Sequence, residues 1–294
     1  MQSSETGRAG LPGRARAAIR DSGLAQREVS RRIGVEESKL SKSLKGFRKI
    51  TADEIVLLAM VTGVTANWLI TGSDSAPGAS TVPPQGILPQ RHRGDDKHAQ
   101  RRRAIIERAW WLFAERGFEA VRIADIAAEV GISTPTVHYY FENKQAIFAE
   151  TLHFSVKLAY DRQIAELAQI IDPAQRLIRL IELQLPTGPE GRAEWSIWLQ
   201  TWTKLAVNDG GLDSHSPGYG RWVSTVRDVI ASGQQEGCFV DEDPGILTAE
   251  LTSLIDGMGI KVLAGLLTSE QMFTNIRGFI NRTIITTKDK HHES

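Results

Sequence analysis

Residues 123–144 read IADIAAEVGISTPTVHYYFENK, and the fold turns on this stretch. Ile126, Ala127 and Val130 form one apolar stripe of a short helix. Gly131 ends it and supplies the backbone freedom of a tight turn. Ser133 follows where a helix N-cap belongs, with Pro135 in the first turn, where proline is tolerated. Val137 and Phe141 then face inward from a second short helix, and the small Ala127 lets the two helices cross closely. This is a helix-turn-helix by residue type and spacing. The outward side of the second helix carries Thr134, Thr136, His138, Tyr139 and Tyr140, all able to hydrogen-bond, where a purely structural helix more often shows Lys, Glu and Ala. Side chains at the start of such a helix reach base edges in the major groove. Lys144 opens the next helix against its dipole, and a phosphate there would offset the cost. The alternative for the stretch is a helical hairpin with a polar face.

The surroundings fit a helical, soluble protein. The chain has 294 residues, 41% of them hydrophobic, enough for about two domains. No apolar run reaches the ~18 residues of a membrane span, and MQSSETGRAG has no apolar segment of a secretory signal. A single cysteine, Cys238, excludes an internal disulfide framework and a multi-cysteine metal site, which fits the cytoplasm. Net charge is zero, yet residues 1–150 carry +5 and residues 151–294 carry −5. A basic front suits a polyanionic partner; chance variation is the alternative.

Breaks at Gly and Pro divide a chain that is helical almost throughout. We expect an all-α fold with a five-helix domain over 12–72 and a flexible linker over 73–98, where Pro77, Pro83, Pro84 and Pro89 lie among Gly and Ser. A helix-turn-helix DNA-binding domain over 99–148, an effector-binding and dimerisation domain over 149–286 and a disordered tail over 287–294 follow. The tail holds His291 and His292, too few to define a metal site.

RRRAIIERAWWLFAERGFEAVRIADIAAEVGISTPTVHYYFENKQAIF, about fifty residues, resembles the DNA-binding domain of the TetR family of bacterial repressors through its LFAERGFEA, IA, VGIS and YYFENK pieces. The resemblance implies a three-helix DNA-binding unit, a larger helical ligand-binding and dimerisation domain, and release from DNA on ligand binding. It places Ser133 at the head of the recognition helix, Thr134, Pro135, Thr136, His138 and Tyr139 against bases, and Tyr140 and Lys144 on phosphates. Arg122 stands where the family usually caps with Thr or Ser, and Ala124 where it often has a polar residue.

The first block repeats the spacing. VSRRIGVEESKL aligns with IAAEVGISTPTV at an offset of 97, matching Ser30, Gly34 and Leu40 to Ala127, Gly131 and Val137. The block resembles the Cro/C1-type (XRE) repressor domain through LAQREV, GVEESKLSKSLKG and VTANWLITG. That resemblance implies Gln26 on phosphate, with Glu37, Ser38, Lys39, Ser41 and Lys42 near bases. Ala25 and Glu36 stand where this fold prefers Thr and Ser caps. A protein-interaction module is the alternative. The basic run Arg91, Arg93, Lys97 and Arg101–Arg103 is either a DNA-following arm or a solvated linker end.

Residues 151–286 contain no phosphate loop, Gly-x-Ser-x-Gly or His-x-x-x-His. Trp195, Trp198 and Trp202 share one helix face, and Tyr219 and Trp222 follow. Such a stripe is either core or an effector pocket; rings would hold a quaternary amine by cation–π attraction, with Asp256 as counter-charge. Helix capping is the other reading of Asp256. WLQTW, GQQEGCF and LIDGM resemble the subgroup that contains choline-responsive repressors, which implies a dimer formed by helices near 218–236 and 243–265. The expectation is a cytoplasmic, homodimeric, ligand-released repressor of operator DNA without metal or cofactor. An activator or dual regulator whose N-terminal domain binds a protein is the alternative, and an enzyme using the C-terminal pocket is a remote one.

Overall fold

A computed structural model describes residues 10–72, 97–167, 170–207 and 216–286. The chain forms two compact units, residues 1–168 and 169–294. Among the described residues there is no strand, only an isolated bridge between Phe239 and Ile285.

The first unit starts with five helices: α1 (Leu11–Asp21), α2 (Gln26–Arg32), α3 (Glu37–Leu44), α4 (Ala52–Thr62) and α5 (Ala66–Thr71). They enclose a core of Ala15, Val29, Leu40, Leu58, Trp68 and Leu69. The termini are individually satisfied. Thr51 and Glu54 form a capping box on α4, and Thr65 caps α5. Arg14 reaches from α1 to the carbonyl oxygens of Leu69 and Ile70 at the end of α5. Arg48 forks onto Glu54, and that pairing lowers the Glu54 pKa.

Four further helices complete this unit: α6 (Lys97–Arg116), α7 (Ile123–Val130), α8 (Thr134–Tyr140) and α9 (Lys144–Leu167). Trp110 and Phe113 of α6 are buried against α9, where the Trp110 indole N–H donates to Ser155 Oγ at 2.6 Å. Phe113, Phe118 and Phe148 meet at 5.2–5.7 Å between ring centres. α9 runs through the expected boundary at 148/149, because no Gly or Pro interrupts residues 144–167.

The five N-terminal helices are seated on this framework. Asp161 of α9, fully buried, accepts from the Ala66 backbone N–H at 2.7 Å, at the start of α5, and from Lys157 Nζ at 2.5 Å. Ile164 packs against the N-terminal core. Arg103 of α6 donates to Val61 O at 3.1 Å and lies against Gly63, and Gln100 donates to Ser22 O. Within this unit the N-terminal helices have direct, buried contacts as well as a covalent connection. Residues 73–96, most of the expected linker, lie outside the described residues, and Lys97 and His98 begin α6.

The second unit comprises α10 (Pro173–Glu182), α11 (Gly188–Val207), α12 (Ser216–Gln235), α13 (Pro244–Leu263) and α14 (Ser269–Phe279), closed by a π-helical turn at Ile280–Ile284. Two Asp-Pro pairs start helices. Asp172 accepts from Gln175 N at 2.7 Å and Asp243 from Gly245 N at 2.6 Å. α13 packs on α11, α12 and α14. The expected tail, 287–294, lies outside the described residues.

Candidate nucleic-acid interface and aromatic cage

The two helix-turn-helix elements share a turn at atomic detail. Gly131 and Gly34 take left-handed φ values of +71° and +66°. In each element the residue after that glycine bonds back five residues: Ile132 N to Ala127 O and Val35 N to Ser30 O, both at 3.0 Å. Val137 and Leu40 are buried at matching positions. Ser30, where the first element departs from Ala, satisfies its hydroxyl on Val35 O at 2.6 Å. The caps differ. Ser133 accepts from Thr136 N, whereas neither Ala25 nor Glu36 provides a side-chain cap. Arg122 likewise gives α7 no side-chain cap; Asp125 accepts from the Arg122 backbone N–H instead.

The outer face of α8 is open. Ser133, Pro135 and His138 are exposed, Thr134 and Thr136 half-buried, and Tyr139 is 74% exposed. His98, from the first turn of α6, packs at 5.6 Å from Tyr139 and 4.6 Å from Tyr140, which orients both rings. Sequence spacing does not single out His98, since it lies far from the tyrosines along the chain. Lys144 is more constrained than expected. Its ammonium donates to Phe118 O at 2.8 Å and sits 4.2 Å from the Phe118 ring centre. The unfavourable position at a helix N-terminus is therefore offset by a carbonyl and a ring on the loop between α6 and α7.

On α3, Glu37, Ser38, Lys39 and Lys42 are exposed, Ser41 is half-buried, and Gln26 is half-buried at the start of α2. Phe47, just beyond α3 between Lys45 and Arg48, is 83% exposed, another residue the pattern did not single out.

In the second unit the tryptophan stripe divides. Trp195 belongs to the core: it is buried, its N–H donates to Gln184 O at 2.6 Å, and its ring lies so close to Gly259 that a Cβ there would fall 2.0 Å from it. Trp198 and Trp202 are half-buried and face Tyr219 of α12 at 6.2 and 5.9 Å, with 6.1 Å between the two indoles. The Tyr219 hydroxyl donates to Asp256 of α13. Burial raises the Asp256 pKa, opposed by this hydrogen bond, and burial plus the carboxylate raise that of Tyr219. Trp222 is half-buried three residues beyond Tyr219. Three aromatic rings in edge and tilted contact thus stand beside a carboxylate whose pKa burial raises, groups of the kind that can meet a cation. Among the described residues no group of three or more His, Cys, Asp or Glu is arranged to hold a metal ion, and no helix is long and apolar enough to cross a membrane.

Residues 105–151 match the profile "Bacterial regulatory proteins, tetR family", and residues 173–284 match "BetI-type transcriptional repressor, C-terminal". A transcriptional regulator from Saccharomonospora viridis, solved in complex with choline, is 45% identical, with 64% of this chain and 100% of that chain covered and a TM-score of 0.62. The chain belongs to the TetR family. The regulator PksA of Bacillus subtilis is 24% identical over 171 residues, 56% of this chain and 80% of that protein. EthR of Mycolicibacterium smegmatis is 22% identical over 216 residues, 64% and 96% of the respective chains. This TetR-family member is thus a DNA-binding transcriptional regulator, and not an enzyme. Both profile matches lie beyond residue 104, after the five N-terminal helices.

Proposed function

We propose that this regulator is a cytoplasmic homodimeric repressor that reads operator DNA through α8 and leaves it when a quaternary ammonium compound of the choline type enters the cage of Trp198, Trp202, Tyr219 and Asp256. The observation that carries the proposal is the arrangement of the three rings, 5.9–6.2 Å apart, beside a carboxylate bound by one of them. Each desolvated ring face adds about 0.5–2 kcal/mol for a cation and nothing comparable for a neutral molecule of equal shape. The choline complex of the 45% identical relative supports the same ligand class.

The dimer reading draws support from α13. Ile246, Ala249, Ser253, Gly257 and Ile260 are all exposed and recur at three- and four-residue spacing, an apolar and small-residue stripe that a second copy would cover. Paired recognition helices on a palindromic site would supply the discrimination that one short helix lacks.

The N-terminal helices are proposed as a Cro/C1-type second DNA reader, with Lys39, Ser41 and Lys42 toward the duplex. The support is the shared turn geometry and the exposed face of α3.

The test of the ligand class is calorimetry with choline and with its neutral isostere 3,3-dimethylbutanol. Choline should bind and the isostere should not; equal affinities would reject the cation cage.

A further inference from the structure

Between the N-terminal helices and the recognition helix runs a cleft of about 1010 Å³, entirely within the first unit. One wall is the end of α2, with Arg31 and Arg32. The floor is α6, with Arg101, Arg103 and Arg108, and the far rim is Tyr139 and Tyr140 of α8. Five arginines thus face two carboxylates. Glu28 accepts from both Arg31 and Arg32, at 2.7–3.1 Å, and Glu107 lies beside Arg103. The walls are held in place by the buried contact of Asp161 with Ala66 and the half-buried one of Arg103 with Val61, so the charge is presented by a fixed frame. Arg101 and Arg108 are exposed, and the Arg31 side chain is 74% exposed.

We infer that this cleft holds the sugar-phosphate backbone of duplex DNA flanking the bases read by α8, so that both helix-turn-helix elements grip one continuous stretch of duplex. The chemistry favours a strand over a small anion. One arginine fork serves one phosphate, whereas arginines strung over α2 and α6 match phosphates repeated along a chain. The cleft also opens at Tyr139, whose exposed ring lies on the base-reading face. Arg103, already desolvated within the protein, gains a counter-charge when phosphate enters.

The inference rests on the reading that the N-terminal unit faces DNA, and its test separates the two. Duplexes selected from a random pool by the full chain are titrated at a series of NaCl concentrations with wild type, R31A/R32A, R101A/R108A and K39A/K42A. These side chains are exposed on their helices, and unchanged thermal melts verify folding. Each arginine pair should lower the slope of log K against log salt by about 0.9 for every phosphate it no longer neutralises, about 2 in all, and remove hydroxyl-radical protection on the flank of the α8 half-site. Slopes and footprints unchanged in both arginine pairs would overturn the cleft. If K39A/K42A alone weakens binding, α3 reads DNA and the cleft does not hold it. If the arginine pairs act and K39A/K42A is silent, the cleft stands and the Cro/C1-type reading of α3 falls. If the arginine pairs abolish binding of ATP in calorimetry while leaving the DNA slope intact, the cleft is a small-anion site and the inference fails.

Discussion

The hydroxyl of Tyr219 donates a hydrogen bond to the carboxylate of Asp256 across α12 and α13, at a place where burial raises the pKa of both groups. A cation entering beside this pair stabilises ionised Asp256. Below the raised pKa, binding must also expel a proton. Affinity for choline should therefore rise with pH through the Asp256 titration, and Asp256→Asn should flatten that dependence while weakening binding. Calorimetry across pH in two buffers of different ionisation enthalpy reports the released proton.

The same shift has a consequence for stability. A folded pKa above the unfolded one contributes stability that is fully present below the unfolded pKa and is lost as pH rises through the folded value. Without ligand, the second unit should lose stability from this group as pH rises through the raised Asp256 pKa. In Asp256→Asn that component should vanish. Melting temperatures of wild type and variant over this range provide the comparison.

The seat of the N-terminal helices on α9 makes a sharper stability prediction. Asp161→Ala leaves Lys157, itself buried, without its carboxylate and the Ala66 N–H without an acceptor. Breaking a buried pair in this way costs about 3–5 kcal/mol. The double variant Lys157→Met/Asp161→Leu should recover part of the loss and not all, since the Ala66 N–H stays unpaired. Chemical denaturation of the three proteins measures this.

Gly63 joins α4 to α5 at φ +74°, and a Cβ there would fall 2.1 Å from Arg103 Nη2. Gly63→Ala should destabilise by about 1–2 kcal/mol from the left-handed backbone alone. Adding Arg103→Ala should relieve the steric part and leave the backbone part, as a double-mutant cycle will report.

Much of this was legible from residue types. The two turns could be overlaid at an offset of 97 because Gly34 and Gly131 each need a left-handed φ and Leu40 and Val137 each face inward. The family resemblances marked Ala25, Glu36 and Arg122 as departures from the usual caps, and none of the three provides a side-chain cap. What sequence spacing could not show is contact between distant segments. Nothing in the spacing of Lys157 and Asp161, four apart on a helix, shows that both are buried beneath the N-terminal helices. Arg103 stood in a basic run open to two readings, a DNA-following arm or a solvated linker end, and neither foresaw its packing on Gly63, far earlier in the chain. Lys144 read as a phosphate ligand from its place at a helix start; its carbonyl partner at Phe118 lies on another segment. The tryptophan stripe gave the face and not its division, because Trp195 is fixed by Gln184 and Gly259 on neighbouring segments.

Lys144 and Tyr139 should accordingly separate in experiment. Lys144→Ala should cost about 1 kcal/mol of stability through the missing carbonyl and ring interactions. Tyr139→Ala should leave the melting temperature unchanged and alter which sequences are selected from a random pool.

The most direct measurement of the central claim is fluorescence anisotropy of a selected operator duplex bound by the full chain, titrated with choline and with 3,3-dimethylbutanol. The account predicts release by choline alone, and loss of that release in Trp202→Ala with DNA affinity retained. Release by both compounds, or by neither, would contradict it.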